Sequence, residues 1–357
     1  MVIMAKVHVV GCGPAGSIAA ISAIRSGHDV IISEEHEVSG RPENCSGLFS
    51  CDGLRSLSGF MDPRRFAIAP MRGAVIRMPG EELTVRRKEP VGFVCDRASM
   101  DQELAISAQA EGAKIMYGHR VDNSFESSNV IGADGPLSTV AAHFGFPKIR
   151  KFASTLQALL PYRSEEPDMV EVFLSNSRFP GFFGWMIPHD ECTAEFGVGV
   201  EISGDVRGAW NALLKIKGVN TDAKPRGAVI PLRIRGKTAV RRKKWNILLA
   251  GDAAGQVKAT TGGGVIFGGN CAALAGKHAT DPLRYEMEWR ARFWPDLALH
   301  GMIHGFFAGA SESALTSLGR TFKKLNIDGY LSDYGHMDRP TRMLRPQLLA
   351  HIFRNVM

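Results

Sequence analysis

The chain has 357 residues, of which 45% are hydrophobic and 22% are charged. This balance is typical of a globular protein and argues against a disordered or fibrous chain, and the length suits one elaborate domain or two closely joined ones. No apolar run reaches the ~18 residues needed to cross a bilayer and no cleaved signal is evident, so we expect a cytoplasmic protein. The six cysteines form no Cys-x-x-Cys pair, and we therefore expect no metal.

Positive charge is concentrated toward the end of the chain, whose formal net charge is +7. Residues 320–357 contain seven Lys or Arg residues and three Asp residues. Because Leu344, Leu348 and Ile352 interleave with these charges, the tail suits an anionic surface, which would place the protein peripherally on the inner face of the cell membrane. The alternative is a packed helix with a solvated basic face.

The beginning of the chain has the pattern of a strand, a tight glycine turn and a helix. Residues Lys6–Val10 predict the strand, and Gly11-Cys-Gly13-Pro-Ala15-Gly16 follows it before an Ala- and Ile-rich helical stretch. Gly11 permits the turn, Gly13 lets a pyrophosphate approach the backbone, and Gly16 lets helix and strand pack closely. The helix N-terminus, with Ala15 in its first turn, then offers free N–H groups and a positive dipole end to phosphates.

An acid ends the second predicted strand, residues 27–34. Glu34 lies 18 residues beyond Gly16, where a carboxylate accepts hydrogen bonds from a ribose hydroxyl. An acid at this point favours an unphosphorylated adenosine ribose, so FAD or NAD is preferred to NADP. The alternative is a surface glutamate that merely ends a strand.

Two further strand-to-turn segments are absent from simple nicotinamide domains. In residues 129–138 a predicted strand runs into an Asp134-Gly turn, and residues 245–255 contain a Gly-Asp252 turn. With these segments the chain resembles the large FAD family built on the p-hydroxybenzoate hydroxylase fold. The resemblance places Asp134 in the family's Asp-Gly turn and Asp252 on the ribityl chain of FAD.

The same resemblance assigns two more positions. The segment from Val94 to Asp101 is similar to the family's Asp-Arg segment, which puts Arg97 near the flavin end of the cofactor. A strand ending near Val121 is expected to offer backbone groups to adenine.

A cysteine-containing loop follows the second predicted strand. Its sequence is Gly-Arg-Pro-Glu-Asn-Cys45-Ser46-Gly47-Leu. The loop resembles that of the geranylgeranyl reductase branch of the FAD family, and of the archaeal digeranylgeranylglycerophospholipid reductases in particular. The resemblance implies that Cys45, Ser46 and Gly47 form a backbone cradle near the flavin. For a lone cysteine the alternative is a small buried hydrophobic residue.

A second segment of this branch is its substrate motif, P-x-x-Y-x-W-x-F-P. The sequence Pro180-Gly-Phe-Phe183-Gly-Trp185-Met-Ile187-Pro188 is similar, with Phe183 for Tyr and Ile187 for Phe. The two-residue period of a strand puts Phe183, Trp185 and Ile187 on one face, an apolar wall suited to a polyprenyl chain. Loss of the Tyr hydroxyl puts in doubt any polar role of that position. The alternative is an ordinary core-facing strand.

Three consecutive glycines follow the second acidic turn. Gly262, Gly263 and Gly264 precede a predicted helix from Val265 to Lys277 and can open N–H groups toward the electron-rich edge of the isoalloxazine ring. We therefore predict that these glycines and Val265 contact the cofactor. A flexible connection is the alternative. The segment from Tyr334 to Pro340 also resembles the C-terminal segment of the branch.

We predict an α/β fold: a Rossmann-like FAD-binding domain with an inserted β-rich substrate domain and a C-terminal helical region. The expected boundaries are 1–60, 90–145 and 240–280 for the discontinuous FAD-binding domain, 61–89 and 146–239 for the β-rich substrate domain, and 281–357 for the helical region. Two helices are expected in the last region, Tyr285–Phe293 and His300–Phe307.

The resemblance implies an FAD-dependent oxidoreductase that reduces isoprenoid (geranylgeranyl) double bonds of membrane lipid precursors by hydride transfer from reduced flavin. An unpolarised alkene also needs a proton, and Cys45 is the candidate donor, although a purely structural Cys45 is an open alternative. We expect Phe183, Trp185 and the C-terminal helices to form an apolar tunnel for the prenylated lipid. Two other functions stay open: an aromatic or polyene monooxygenase, and a non-catalytic prenyl-lipid carrier with a vestigial flavin fold.

The route by which electrons reach the flavin is open, since the chain has no second glycine fingerprint. The run Arg241-Arg-Lys-Lys244 suits an NADPH phosphate or an acidic, ferredoxin-like carrier, or else it is a solvated turn. We expect NAD(P)H or a reduced carrier protein as the electron donor, and no nucleic-acid partner.

Overall fold

The computed structural model describes residues 4–356, apart from the side chains at 349, 350, 353, 355 and 356. The strands are β1 (Lys6–Val10), β2 (Asp29–Ser33), β3 (Leu48–Ser50), β4 (Ala67–Met71), β5 (Gly73–Met78), β6 (Glu81–Arg86), β7 (Gly92–Cys95), β8 (Lys114–Met116), β9 (Asn129–Gly132), β10 (Phe152–Pro161), β11 (Met169–Phe173), β12 (Gly184–Pro188), β13 (Thr193–Glu201), β14 (Arg226–Pro231), β15 (Ala239–Arg242) and β16 (Trp245–Leu249).

Helices connect and cover these strands. The α-helices are α1 (Pro14–Arg25), α2 (Cys51–Ser56), α3 (Arg97–Ala110), α4 (Thr139–His143), α5 (Val206–Lys217), α6 (Val265–Lys277), α7 (Pro282–Gly309), α8 (Glu312–Lys324), α9 (Ile327–Tyr334) and α10 (Pro346–Val356). Short 3₁₀ turns lie at Pro63–Phe66, Gly251–Ala254 and Pro340–Met343.

The first sheet has the strand order β15-β16-β9-β1-β2-β8 and is parallel except for the β15–β16 pair. Its central strand β1 is β-branched and almost wholly buried, as expected for a parallel strand covered on both faces. Helix α1 packs against α3 and α6. The approach of α6 to α1 requires glycine at one point, because a Cβ at Gly276 would lie 2.2 Å from the carbonyl oxygen of Ala19.

The second sheet has the order β14-β10-β13-β12-β11-β5-β6, and only its β11–β5 pair is parallel. One face of β13 packs Phe196 and Val198 against Trp210 and Leu213 of α5. Because side chains alternate along a strand, Glu195, Gly197 and Gly199 lie on the opposite face. A third, small sheet has the order β3-β7-β4.

The structure confirms the predicted α/β class, and the strand predicted at 6–10 has those bounds. The predicted segments 129–138 and 245–255 each begin with a strand, β9 and β16. Helix α6 also matches its prediction. The second strand is shorter than predicted, covering Asp29–Ser33. The domain boundaries stay a prediction.

Two local predictions are wrong. The helices expected at Tyr285–Phe293 and His300–Phe307 are one helix, α7, with Pro295 inside it. Proline removes a helical hydrogen bond, but Phe293 and Leu297 on either side of it join the same core, and this packing holds the helix together.

The other wrong prediction is the strand expected to end near Val121. That strand, β8, ends at Met116, and Gly118, with a φ of 63°, then turns the chain. Val121 lies outside any strand, packed in a core cluster with Val10 and Val130.

Candidate active site

A cavity of about 550 Å³ joins the turns of the first sheet to one face of the second. Its lining includes Gly13 after β1, Ala133 after β9 and Asp252 after β16. These are the carboxyl ends of parallel strands, where α/β sheets bind ligands. The opposite side of the cavity is formed by residues of β10, β11, β12 and β14.

The glycine turn after β1 has the geometry of a phosphate-binding loop. Gly11 has a φ of 96°, and a Cβ there would lie 2.4 Å from the carbonyl oxygen of Ala133. A Cβ at Gly16 would lie 1.9 Å from the carbonyl oxygen of Gly11, whereas Gly13 faces open space. Because no side chain caps the N-terminus of α1, its first N–H groups are available to an anion. Ala15, in that first turn, also lines the cavity.

Glu34 directly follows β2, but it supports the glycine turn instead of lining the cavity. Its Oε2 accepts a hydrogen bond from the backbone N–H of Cys12 at 2.7 Å. Its Oε1 is bonded to the backbone N–H of His36 at 3.0 Å and to the ring Nδ1 of His36 at 2.8 Å. A carboxylate has about four acceptor positions, so a ribose hydroxyl can still be bound. Its contact with a cofactor stays a prediction.

Asp134 stabilises its own turn. Its Oδ2 accepts hydrogen bonds from the Thr139 hydroxyl at 2.9 Å and the Val140 N–H at 3.0 Å. Its Oδ1 is buried without a partner among the described residues, and the neighbouring Gly135 lines the cavity. Val121 does not line the cavity. Cofactor contacts of Asp134 and Val121 stay predictions.

Asp252 places a carboxyl group in the cavity. The Asp252 side chain accepts no hydrogen bond from the described part of the chain. Burial raises the pKa of its carboxyl group to about 6, against the opposing effect of Arg97. A Cβ at Gly264 would lie 2.6 Å from Oδ1 of Asp252, so only glycine leaves this carboxyl room. An unpartnered carboxylate of this kind suits the hydroxyl groups of a polyol such as ribityl.

The glycine run beside Asp252 lines the cavity together with Val265. A Cβ at Gly262 would lie 2.9 Å from Ile230, and one at Gly263 would lie 2.8 Å from Cε of Lys258. The N–H of Gly262 donates to the carbonyl oxygen of Lys258 at 2.8 Å and that of Gly263 to the Thr261 hydroxyl at 3.4 Å. No side chain caps the N-terminus of α6 at Gly264, so the N–H groups at the start of this helix are the ones that suit the edge of a flat ring. Lys258 also lines the cavity, and its relevance was missed because its partner, Asp338, lies 80 residues away in sequence.

The cysteine loop lines the cavity with Cys45 and Ser46. The backbone N–H of Gly47 donates to Cys45 Sγ at 3.5 Å. Burial raises the pKa of the Cys45 thiol, an effect that Arg97 only partly offsets, so the group is a protonated thiol at neutral pH. Arg97 makes two hydrogen bonds of 2.7 Å to Asp101, and both side chains line the cavity.

Phe183, Trp185 and Ile187 form an apolar wall of the cavity. Phe182, which was not a predicted site residue, stacks on Phe183 with ring centroids 4.3 Å apart and also lines the cavity. The indole of Trp185 lies over a strand glycine, since a Cβ at position 197 would come within 2.1 Å of it.

The two prolines of the predicted motif, Pro180 and Pro188, do not line the cavity. The C-terminal helices do not form its wall either, which corrects the predicted tunnel. In the described part of the chain after residue 281, Met337 is the lining residue. The reason is that α7 packs against β15 and β16 of the first sheet.

Three polar residues that were not predicted lie beside the apolar wall. Thr155 and Gln157 of β10 line the cavity. Glu195 of β13 is buried and accepts a hydrogen bond from Trp185 Nε1 at 3.2 Å. Burial raises the pKa of Glu195 to about 7 despite this hydrogen bond. A lone acid in an apolar strand was the available signal.

The basic run 241–244 covers the end of β15 and the two-residue turn to β16. Arg241 donates to Asn246 Oδ1 at 2.9 Å and to the carbonyl oxygen of Thr280 at 3.0 Å, and Lys244 lies over the Trp245 ring. The run does not line the cavity, and a role in binding an electron donor stays a prediction.

The described residues contain neither a membrane-spanning helix nor a candidate metal site. No helix there has the length and apolar character to span a membrane. No group of three or more His, Cys, Asp and Glu residues in residues 4–356 could hold a metal ion.

Comparison with known proteins gives relatives along nearly the whole chain. The chain is 28% identical to a digeranylgeranylglycerophospholipid reductase of Methanothrix thermoacetophila, with 98% of each chain covered. It is 26% identical to digeranylgeranylglycerophospholipid reductase 2 of Methanothermobacter thermautotrophicus, with 94% of this chain and 98% of that protein covered. No family model matches the chain.

Solved structures share the fold. A geranylgeranyl bacteriochlorophyll reductase-like protein of Thermoplasma acidophilum has a TM-score of 0.80 at 19% identity, and the match covers 99% of this chain and 100% of that chain. A flavin-dependent halogenase has a TM-score of 0.67 at 17% identity, covering 100% of this chain and 78% of the halogenase.

Proposed function

From the chain's membership of the geranylgeranyl reductase family of FAD-dependent oxidoreductases, we propose that it reduces isoprenoid double bonds of a membrane lipid precursor. One observation carries this proposal: a single cavity combines a polar end with glycine turns and an apolar end with aromatic residues. The polar end suits a dinucleotide cofactor, and the apolar end suits a prenyl chain.

The polar end fits FAD in three respects. The turn at Gly13 and the N-terminus of α1 suit the pyrophosphate, and the unpartnered carboxyl of Asp252 suits the ribityl hydroxyls. The run Gly262 to Gly264 and Val265 suits the isoalloxazine edge. When bound and reduced, FAD supplies the hydride that saturates a double bond.

Saturation of an alkene also requires a proton. The thiol of Cys45 lies in the cavity and is protonated at neutral pH, because burial raises its pKa. We assign it the role of general acid, a role that typically contributes about 10²–10⁴-fold to the rate. Two hydrogen bonds to Asp101 hold the guanidinium group of Arg97, so that its positive charge stays in place near this thiol.

The aromatic wall orients the substrate and excludes water. The side chains of Phe183, Trp185 and Ile187 are carbon except for the indole N–H of Trp185. That N–H donates a hydrogen bond to Glu195. A dry site prevents water from competing for reactive groups.

Two further parts of the proposal concern partners: an electron donor, either NAD(P)H or a reduced carrier protein, and contact of the basic C-terminal region with the membrane surface.

Trp185→Ala tests the substrate assignment. Removing the indole opens the wall, so prenyl saturation should fall by at least about tenfold, equivalent to 1.4 kcal/mol in the barrier. The stoichiometry of bound FAD should stay unchanged. Trp294→Ala is the matched control, because that residue is 46% exposed on α7. Unchanged turnover in Trp185→Ala would contradict the proposal.

A further inference from the structure

A second cavity, of about 290 Å³, lies beside the candidate active site and shares no lining residue with it. It is bounded by α2, α6, α7 and the C-terminal segment 336–342. The two cavities are neighbours, because Lys258 lines the first and its ion-pair partner Asp338 lines the second. The chain is closely packed at this boundary, since a Cβ at Gly53 would lie 2.7 Å from Ser50 Oγ and 3.0 Å from Asp338 Oδ2. The second cavity is therefore a separate space with its own lining.

Two arginines of the second cavity have no acidic partner. Within the described part of the chain, the side chains of Arg339 and Arg342 make no ion pair and no hydrogen bond, and Arg339 only lies over the Phe293 ring, 6.0 Å from its centroid. Arg339 is the N-cap of the 3₁₀ turn Pro340–Met343, and Arg342 lies three residues further on. Residues three apart share one side of such a turn, and both arginines line the cavity.

The other charged groups at this cavity neutralise one another. Asp338 pairs with Lys258, and Arg55 donates to Oδ1 of Asp52 at 2.7 Å. Burial is the main cause of a lowered pKa of His336, so its ring is neutral at pH 7. The two unpaired arginines therefore give the second cavity a net positive charge.

The rest of the lining is largely apolar. Ile266 and Phe267 of α6 and Phe293 of α7 supply carbon surface. The Asn270 amide nitrogen donates to Ser56 Oγ and to the carbonyl oxygen of Ile266, both at 2.8 Å, which leaves its Oδ1 as an acceptor. An inorganic anion has no use for a carbon surface, whereas an organic anion places its carbon part there.

We infer that the second cavity binds the phosphate group of a small organic molecule, with Arg339 and Arg342 as its counter-charges. A guanidinium group donates two parallel hydrogen bonds to phosphate oxygens, so two of these groups suit a phosphate dianion. The volume is at the lower end of the ~300–1,000 Å³ typical of small-molecule sites. Two sources share this chemistry: a nucleotide and the glycerol phosphate headgroup of a lipid. The inference goes beyond the proposed function and does not depend on it, because it concerns a different cavity.

The test is a calorimetric titration of the FAD-loaded protein, freed of excess FAD, with inorganic phosphate, adenosine monophosphate and glycerol phosphate. The wild-type protein should bind one of the two organic phosphates about tenfold or more tightly than inorganic phosphate, because only the organic probes contact the apolar surface. Tighter binding of the nucleotide or of glycerol phosphate identifies the source. Arg342→Gln should weaken this binding by about tenfold or more, and Arg339→Gln should act in the same direction.

Arg207→Gln is the matched control, because Arg207 is exposed on α5 and lines neither cavity. An unchanged FAD content shows that each variant is folded. The inference is overturned if the wild type binds neither organic phosphate up to about 10 mM, if all three probes bind equally, or if the affinity survives both cavity substitutions. The titration needs no turnover. A protein that binds the organic phosphate but saturates no prenyl chain would therefore refute the proposed function alone.

Discussion

The ammonium group of Lys258 lies 2.6 Å from Oδ1 of Asp338, and both side chains are buried. The other carboxyl oxygen of Asp338 accepts a hydrogen bond from the Ser50 hydroxyl. His300 is bonded to the carbonyl oxygen of Asp338 at 3.1 Å and to the Thr260 hydroxyl at 2.7 Å. The C-terminal segment is thereby fixed against the glycine-rich edge of the cavity.

Asp338→Asn should destabilise the protein by roughly 3–5 kcal/mol at pH 7, because it leaves Lys258 buried without a counter-charge. Burial alone would raise the pKa of Asp338, but Lys258 and Ser50 outweigh it and hold the pKa below 3.8. The contribution is therefore present above pH 4 and lost as the pH falls through the folded-state pKa. Urea denaturation should show a gap between wild type and variant that closes in acid.

The control for this substitution is Asp333→Asn, since Asp333 is exposed on α9. A difference in unfolding free energy that does not depend on pH would contradict the assignment of the ion pair.

Asp252→Asn should weaken FAD binding by about tenfold or more at pH 8, since a hydrogen bond to a charged group contributes roughly 1.5–3 kcal/mol. The pKa of Asp252 is about 6 in the protein without ligand, and hydroxyl donors favour the ionised form. FAD affinity of the wild type should therefore fall as the pH drops below 6, whereas the variant should lose this dependence. Quenching of FAD fluorescence measures both. The same pH profile in both proteins would be a negative result.

Glu195→Gln should remove a loss of stability that the wild-type protein undergoes as the pH rises. The folded-state pKa of about 7 exceeds the ordinary value of 4.5, so the stabilising contribution is present below pH 4.5 and lost as the pH rises to about 7. The shift corresponds to a loss on the order of 3 kcal/mol, which the glutamine variant avoids while keeping an acceptor for Trp185. Thermal unfolding at pH 5 and pH 8 measures the difference.

Glu191→Gln, at an exposed position, is the matched control for Glu195. Glu191→Gln should differ from the wild type by the same amount at pH 5 and at pH 8. If the difference between the wild type and Glu195→Gln is also the same at both pH values, Glu195 is not buried as described.

Cys45→Ala should lower the rate of prenyl saturation by about 100-fold or more, if the thiol is the general acid. Its pKa is raised above 9.0, so the wild-type rate should stay flat up to pH 8. FAD affinity should change by less than about threefold, since the proposed contacts of this loop with FAD are made by its backbone, which the substitution keeps. Cys192→Ala is the control, because that thiol is exposed. A Cys45→Ala variant with near-normal turnover would assign the residue to structure alone.

Local spacing was sufficient to predict the glycine turns that line the polar end of the cavity. Gly11, Gly13 and Gly16 have mechanical roles set by their own turn, and the helix at Val265 follows directly from the glycine run. Fold class followed from the same segments. Packing in the hydrophobic core determined features that local sequence could not predict. Pro295, for example, lies within a continuous helix because the residues on both sides of it are packed in the core.

Long-range pairing explains what the sequence did not show. The register of β10, β13 and β12 places Gln157 and Trp185 on either side of Gly197 in one row of the sheet, and Lys258 pairs with Asp338 across 80 positions. Neither pair has a local signature. The apolar wall was predicted because strand alternation is local, but the polar groups beneath it depend on which strands are neighbours.

The central claim is that the cavity brings reduced flavin and an isoprenoid double bond together. The most direct test incubates the FAD-loaded, dithionite-reduced protein anaerobically with a prenylated glycerophospholipid and follows the lipid by mass spectrometry. The account predicts reoxidation of the flavin with a mass gain of about two units for each bond reduced, as expected for addition of a hydride and a proton. A protein that takes up no FAD, or a lipid that gains mass only as oxygen when air is admitted, would contradict it.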